Sequence, residues 1–357
     1  MFIKSLFLTA TFITSFSFYG TSAEIAASFS SGQKPAVMVS GKYRTGHYFY
    51  TTNSQISLAE VPGFDLPGFA GWVKRYTWRQ LEPKKGEYDF DAIRKDLEEC
   101  RKYDKGFVVM IYDKTFSKGG NPCPDYLEPV VIKNNLGGII TIRWDDFYVE
   151  RYSALVQAIG KAFDANPYFE GINIQESALS MTDDELTALP AKYPRYSDEV
   201  YADALEKYVK AASRALPNSR VFWFGNFMGS KGIPPELPGR FIECGNVVFT
   251  GPDLVIYRKG YKNSIYPLFK KYFGQMLLGS SMQGHSFHHN KHDIHNRNPH
   301  NHSSEGGFVP VEEIFLFGRD ELQLNYVFWS YPPNTQPTPG ENTWDDALEV
   351  IKKYPDF

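Results

Sequence analysis

Apolar residues follow two rhythms along this chain. Short strand-like runs recur at residues 37–40, 71–77, 106–112, 171–175, 221–226, 246–250, 277–282 and 322–329. Between them the period lengthens to that of a helix. Residues 90–102 (FDAIRKDLEECRK) set Ile93, Leu97 and Cys100 on one face, and residues 149–163 and 197–216 repeat the pattern. Residues 344–353 (WDDALEVIKK) form a last helix behind a cap at Asn342 or Thr343. Strands that alternate with helices over the whole length predict an α/β fold, a single (β/α)8 TIM barrel, in preference to an open doubly wound sheet. No phosphate-cradling glycine fingerprint follows the first strand, which argues against dinucleotide binding.

A barrel makes the C-terminal ends of its strands converge on one mouth. Those ends are rich in acids, amides and aromatics. The second runs into Arg75 and Trp78, the third into Asp113-Lys114, and the fourth into Gln175-Glu176-Ser177. The fifth ends at Asn226, the sixth runs into Gly251-Pro252-Asp253, the seventh into Gln283-Gly284-His285, and the eighth at Trp329. A sugar-cleaving site needs this mixture: carboxylates to move protons or attack carbon, amides and Arg to hold hydroxyls, and aromatic faces for pyranose rings. A long loop after the third strand, with residues 122–126 and Arg143-Trp144-Asp145, has the character of a cleft-building segment.

Composition changes this picture in three places. Aromatic residues make up 16% of the 357, which fits either a carbohydrate site or a Tyr- and Phe-rich core. A formal charge of −3 and the lack of a basic stripe exclude a nucleic-acid surface. The three cysteines, Cys100, Cys123 and Cys244, match no zinc spacing and allow one disulfide at most, so they read as buried thiols. The N-terminal residues read as a secretory signal peptide: Lys4, an apolar stretch over residues 6–18, then Thr21-Ser22-Ala23. The expected organisation is a signal peptide at 1–23, a linker at 24–36 and a barrel at 37–357, exported to the periplasm or medium without a membrane span.

The stretch VKRYTWRQLEPKKGEYDFDAIRKDL, residues 73–97, resembles the second strand and following helix of the clan A glycoside hydrolases. The matching pieces are Trp78, Glu82-Pro83, Lys85-Gly86 and Tyr88-Asp89-Phe90. The resemblance continues at Glu176 and at NYVFW, residues 325–329. It implies a carbohydrate substrate, no cofactor, and Glu176 as acid/base. The clan's nucleophile is a Glu ending the seventh strand, and here Gln283 stands at that end. Asp253 is the leading substitute as second carboxylate, or else a turn cap. Asp113 follows as a mouth carboxylate or a paired rim charge. Glu305, Glu312 and Glu313 come after it, the last two being placed to start a helix.

The remaining candidates have two readings each. Gln175, Asn226, Gln283 and His285 hold substrate hydroxyls or make rim contacts. Arg75 clamps a hydroxyl or carboxylate, or completes a buried salt bridge. Trp78 and Trp329 are sugar platforms or core, while Trp223, inside a strand, is core. Residues 285–302 hold seven of the eight histidines in one polar loop. Imidazoles ligate metals, but the loop carries no H-E-x-x-H pattern and reads as a solvated lid, so no metal site is assigned. Two rivals to a glycoside hydrolase follow: a glycan-binding barrel that has lost its nucleophile, and a metal-dependent enzyme built on the histidine loop.

Overall fold

The computed structural model describes residues 43–51, 55–116, 118–229, 232–256, 259–288, 309–332 and 341–357. The barrel strands are β1 (Gly46–Thr51), β2 (Phe69–Thr77), β3 (Gly106–Tyr112), β6 (Phe169–Ile174), β7 (Arg220–Phe224), β8 (Val247–Asp253), β9 (Leu277–Met282) and β10 (Tyr326–Tyr331). All pair in parallel and close in that order, β10 returning to β1 from Gly46↔Tyr326 to Thr51↔Tyr331. Two short strands, β4 (Val131–Lys133) and β5 (Ile139–Thr141), form an antiparallel pair inside the long connection after β3. The (β/α)8 barrel expected from the apolar rhythm is the fold.

Seven of the eight barrel strands overlap runs recognised in the sequence. The first differs. Residues 37–40, the expected signal peptide and the linker lie outside the described residues, and the strand that closes the barrel is β1, GHYFYT. The eighth strand starts at Tyr326, later than the 322 expected. Leu322 caps the preceding turn, and both it and Leu324 are buried in the outer layer, which accounts for their apolar character.

Alternation along each strand sorts side chains between two cores. The inner face carries Tyr48, Tyr50, Val73, Val108, Met110, Phe222, Val248, Tyr326 and Phe328, a closed apolar cluster. The outer face, with Trp72, Ile111, Ile172, Trp223, Phe249 and Trp329, packs under the helices. Helix Asp91–Lys102 buries Ile93, Leu97 and Cys100 as its pattern predicts. It also buries Asp96, which accepts from Lys74 Nζ at 3.0 Å and from the Tyr76 hydroxyl. Helix Asp146–Phe163 begins three residues earlier than expected because the Asp145 side chain caps Phe147 N at 2.9 Å. Thr343 caps the last helix, Trp344–Lys353. All three cysteines are free thiols, two of them fully buried.

The residues that carry the clan resemblance form a structural knot. The Glu82 carboxylate is fully buried and accepts from Gly86 N at 2.8 Å, from Trp78 Nε1 at 2.9 Å, and from Tyr126 and Arg151. A buried carboxylate persists only when its lone pairs are filled in this way. The turn therefore closes on itself and fixes the segment between β2 and its helix.

Candidate active site

Strand β6 delivers Glu176 to the C-terminal mouth, and its neighbours hold it there. Gln175 turns its side chain into the barrel wall: Oε1 accepts from Asp113 N at 3.1 Å and Lys114 N at 3.2 Å. Arg143 donates to the carbonyls of Gln175 (3.1 Å) and Glu176 (2.6 Å). Lys114 Nζ donates to the Glu176 carbonyl at 2.9 Å and to that of Ala178. On the far side the Ser177 hydroxyl bonds the Asn226 backbone in both directions, at 2.7 and 2.9 Å, and Tyr201 holds the Ser177 carbonyl at 2.8 Å. The backbone on both sides of Glu176 is thus fixed, and its half-buried carboxylate accepts a hydrogen bond from Asn226 Nδ2.

Two buried cations underlie this loop. Arg143 pairs with Asp113, Nε to Oδ2 at 3.1 Å, and Thr141 and Tyr148 each donate to the same oxygen at 2.7 Å. Burial alone would raise the Asp113 carboxyl. The Arg143 charge and these donors outweigh it and hold the group below the usual aspartate range. Lys114 faces backbone carbonyls, and burial lowers its ammonium to about 7, against the opposing pull of the Glu176 charge.

The other expected site residues divide by strand register. Arg75 lies on the inner face of β2 in register with Met110, and Asn226 and Gln283 follow the ends of β7 and β9; all three are half-buried. Asp253 is the last residue of β8, half-buried, in register with Ser281. His285 lies in the short turn Gly284–His288 after β9; its side chain and residues 289–308, with most of the histidine run and Glu305, lie outside the described residues. Among the described residues no cluster of His, Cys, Asp and Glu is arranged to hold a metal ion.

Four assignments from the sequence need correction. Trp78 is fully buried, its indole donating to Glu82, so it offers no face to a sugar. Trp329 is on the outer face of β10, fully buried, with Nε1 on His47 Nδ1 at 2.9 Å. Asp113 is 1% exposed and enclosed by Arg143, Thr141 and Tyr148; it fixes the loop from below and does not reach substrate. Gln175 is likewise engaged with backbone and positions Glu176. Glu312, expected at a helix start, is in the first turn of helix Val311–Leu316 and accepts from Lys353 and Tyr354 at 2.6 Å.

Sequence reasoning missed the work of Arg143 and Lys114. Both were visible only as charges in loops, and their partners are carbonyls distant in sequence. It also missed Tyr50, which belongs to the unrecognised β1, and gave no role to Tyr112 at the end of the third run, whose ring lies 4.3 Å from the Arg75 guanidinium carbon.

No protein-family model matches the chain, and no curated protein does. Solved structures do. The catalytic domain of β-amylase from Paenibacillus polymyxa superposes with a TM-score of 0.51 at 10% identity, over 87% of this chain and 99% of that one. Endo-glycoceramidase II from Rhodococcus sp., solved as a lactosyl-enzyme intermediate, gives 0.52 at 13% identity, over 86% and 78%. A β-galactosidase from the haloarchaeon Halorubrum lacusprofundi gives 0.54 at 10% identity, over 88% of this chain and 58% of that one. The chain shares its (β/α)8 barrel fold with these structures. Counted round the barrel, Glu176 follows the fourth strand and Gln283 the seventh. No described helix is long and apolar enough to cross a membrane.

Proposed function

We propose that the chain is an exported glycoside hydrolase that cleaves a polysaccharide or oligosaccharide at the mouth of its barrel. One observation carries this reading: a half-buried Glu176 on a backbone pinned from both sides, its carboxylate held by Asn226 at the end of the neighbouring strand. Such fixing keeps a proton donor in line with a leaving oxygen without reorganisation. Glu176 protonates the glycosidic oxygen. Asp253 is the second carboxylate and activates water from the opposite side. Asn226 and Gln283 hold hydroxyls beside the cleaved bond.

The strand count favours inversion. Glu176 and Asp253 are carried by β6 and β8 with β7 between them. Two strand spacings amount to roughly 10 Å of backbone. Inverting enzymes keep their carboxyls about 6.5–9.5 Å apart, whereas retaining ones hold them at about 5–5.5 Å. A water molecule fits the wider gap. The second reading is a glycan-binding barrel without turnover, and the observation that favours it is Gln283 at the end of β9, where the clan carries a Glu.

The test is reducing-end release from a panel of neutral and acidic polysaccharides by wild type and Glu176→Gln. Release by wild type should fall about 10³-fold or more in the variant, as loss of a general acid does. Equal release by both would place the acid elsewhere. Retention of glycans with no release by either protein would support the glycan-binding barrel.

A further inference from the structure

Arg75 is held in the mouth without an anion. It lies on the inner face of β2, paired with Met110 and one step nearer the mouth than Val73, both of them inner-core residues. One guanidinium nitrogen donates to the Tyr50 hydroxyl, and the guanidinium carbon sits 4.3 Å from the Tyr112 ring centre and 5.7 Å from that of Tyr50. Nε is buried and has no hydrogen-bond partner. A guanidinium has five N–H donors in a planar fork, and one is used.

The other cations of the barrel wall each meet an anion or a carbonyl, including Arg220 of β7, whose Nε is also unpartnered but which donates to the Gly245 carbonyl at 3.0 Å. Lys74, the residue before Arg75, points outward and pairs with Asp96 at 2.9 Å. Arg143 pairs with Asp113 and Arg151 with Glu82. Lys105 donates to the carbonyls of Leu66 and Phe69, and Lys114 to those of Glu176 and Ala178. Arg75 makes no ion pair with any described residue, Glu176 and Asp253 included. Partly withdrawing a cation from water with neither an anion nor a carbonyl among the described residues is costly, and two tyrosine faces offset only part of that cost. The position is prepared for an anion that comes from outside, and a planar fork suits the paired oxygens of a carboxylate or sulfate.

We propose that the glycan this mouth accepts is anionic, and that Arg75 seats its carboxylate or sulfate group against Tyr50 and Tyr112. The inference rests on the glycan-site reading above and adds the substrate class to it. Neutral chains lack the group that would complete the Arg75 fork, so they bind more weakly.

Retention of the full chain in affinity gels tests this. The gels contain polygalacturonate, its carboxyl-reduced neutral form, chondroitin sulfate, desulfated chondroitin, carboxyl-reduced chondroitin sulfate, and neutral dextran, xylan and mannan. Wild type, Arg75→Met and Arg75→Lys are run together, with thermal melts to establish that each variant is folded. The expected result is retention by acidic members that weakens about tenfold or more in Arg75→Met and is partly kept in Arg75→Lys. Loss on carboxyl reduction identifies a carboxylate ligand, and loss on desulfation a sulfate. Retention by neutral members, equal in wild type and Arg75→Met, would overturn the anionic assignment and leave the glycoside hydrolase reading in place. Acidic retention unmoved by Arg75→Met would remove Arg75 as the seat. No retention by any member would overturn both readings.

Discussion

His47 joins both ends of the barrel through one ring. Its Nδ1 accepts from the Trp329 indole at 2.9 Å, and its Nε2 donates to the Tyr354 carbonyl at 2.8 Å. Only the neutral imidazole can do both. Burial lowers its pKa from 6.5 to about 4, against the raising effect of the Tyr354 hydrogen bond. Between those values the unfolded chain binds the proton and the folded one does not, so stability falls as pH drops from about 6.5 toward 4. At about 1.4 kcal/mol per unit the whole interval is worth about 3 kcal/mol. Urea denaturation of wild type and His47→Gln at pH 7 and pH 4.5 checks this. The wild type should lose more stability between the two, by about 2 kcal/mol or more, and parallel losses would show that His47 stays protonatable in the fold. Histidine content drew attention to the loop at 285–302, yet among the described residues the defined histidine role is this structural one. Nothing around His47 in the sequence names Trp329 or Tyr354 as its partners.

At the scale of elements, β6 shows why a strand's pattern and its geometry are different kinds of information. Its apolar run and its terminal Glu176 are plain in the sequence. Its pairing with β3 shifts by one residue between Phe107↔Phe169 and Val108↔Gly171, a bulge that leaves Glu170 as the extra residue. Gly171 adopts φ +146, and a Cβ there would lie 1.8 Å from the Arg220 carbonyl oxygen. Glycine is required, and Gly171→Ala would force β6 away from β7 and move the whole 175–177 segment. We expect a loss of about 3 kcal/mol or more, with a severe fall in whatever activity Glu176 supports. A variant that melted within a degree of wild type would refute the close packing at this bulge. The segment after β3 makes the complementary point. Asp113 and Gln175 look like mouth residues because they follow strands, but the fold turns both into the wall, where they brace the Glu176 loop.

The barrel is closed by its first and last strands. β1 pairs with β10, and the residues after the last helix cover that seam. Phe357 packs on His47 with ring centres 4.6 Å apart and on Phe315 at 5.2 Å. Tyr354 lies 5.3 Å from Phe315 and donates to Glu312 at 2.6 Å. Deleting residues 354–357 removes this cover and exposes the His47–Trp329 pair. The melting temperature should fall by at least a few degrees, and an unchanged melt would mean the seam closes without the tail. Closure also decides which aromatics meet substrate. Trp78 and Trp329 read from the sequence as sugar platforms or core, and both are fully buried, as are Trp72 and Trp223. The aromatic rings packed about Arg75 are the tyrosines Tyr50 and Tyr112.

The amino-acid pattern alone determined the alternation of strands and helices, hence the barrel and the position of its mouth, because a strand's apolar run and a helix's stripe are local properties. It also singled out Glu176, since an ionisable group directly after a buried strand is legible without knowing any partner. The tertiary structure alone decided which residues past the strands face the mouth and which face the wall. That choice depends on register, and a single step of register moves a side chain from one face of a strand to the other. It put Trp329 outside, Asp113 beneath and Arg75 within. Ion pairing was equally invisible beforehand, because the charge that neutralises Arg143 or Lys74 comes from a distant part of the chain, and the lack of one at Arg75 among the described residues appears only in the fold.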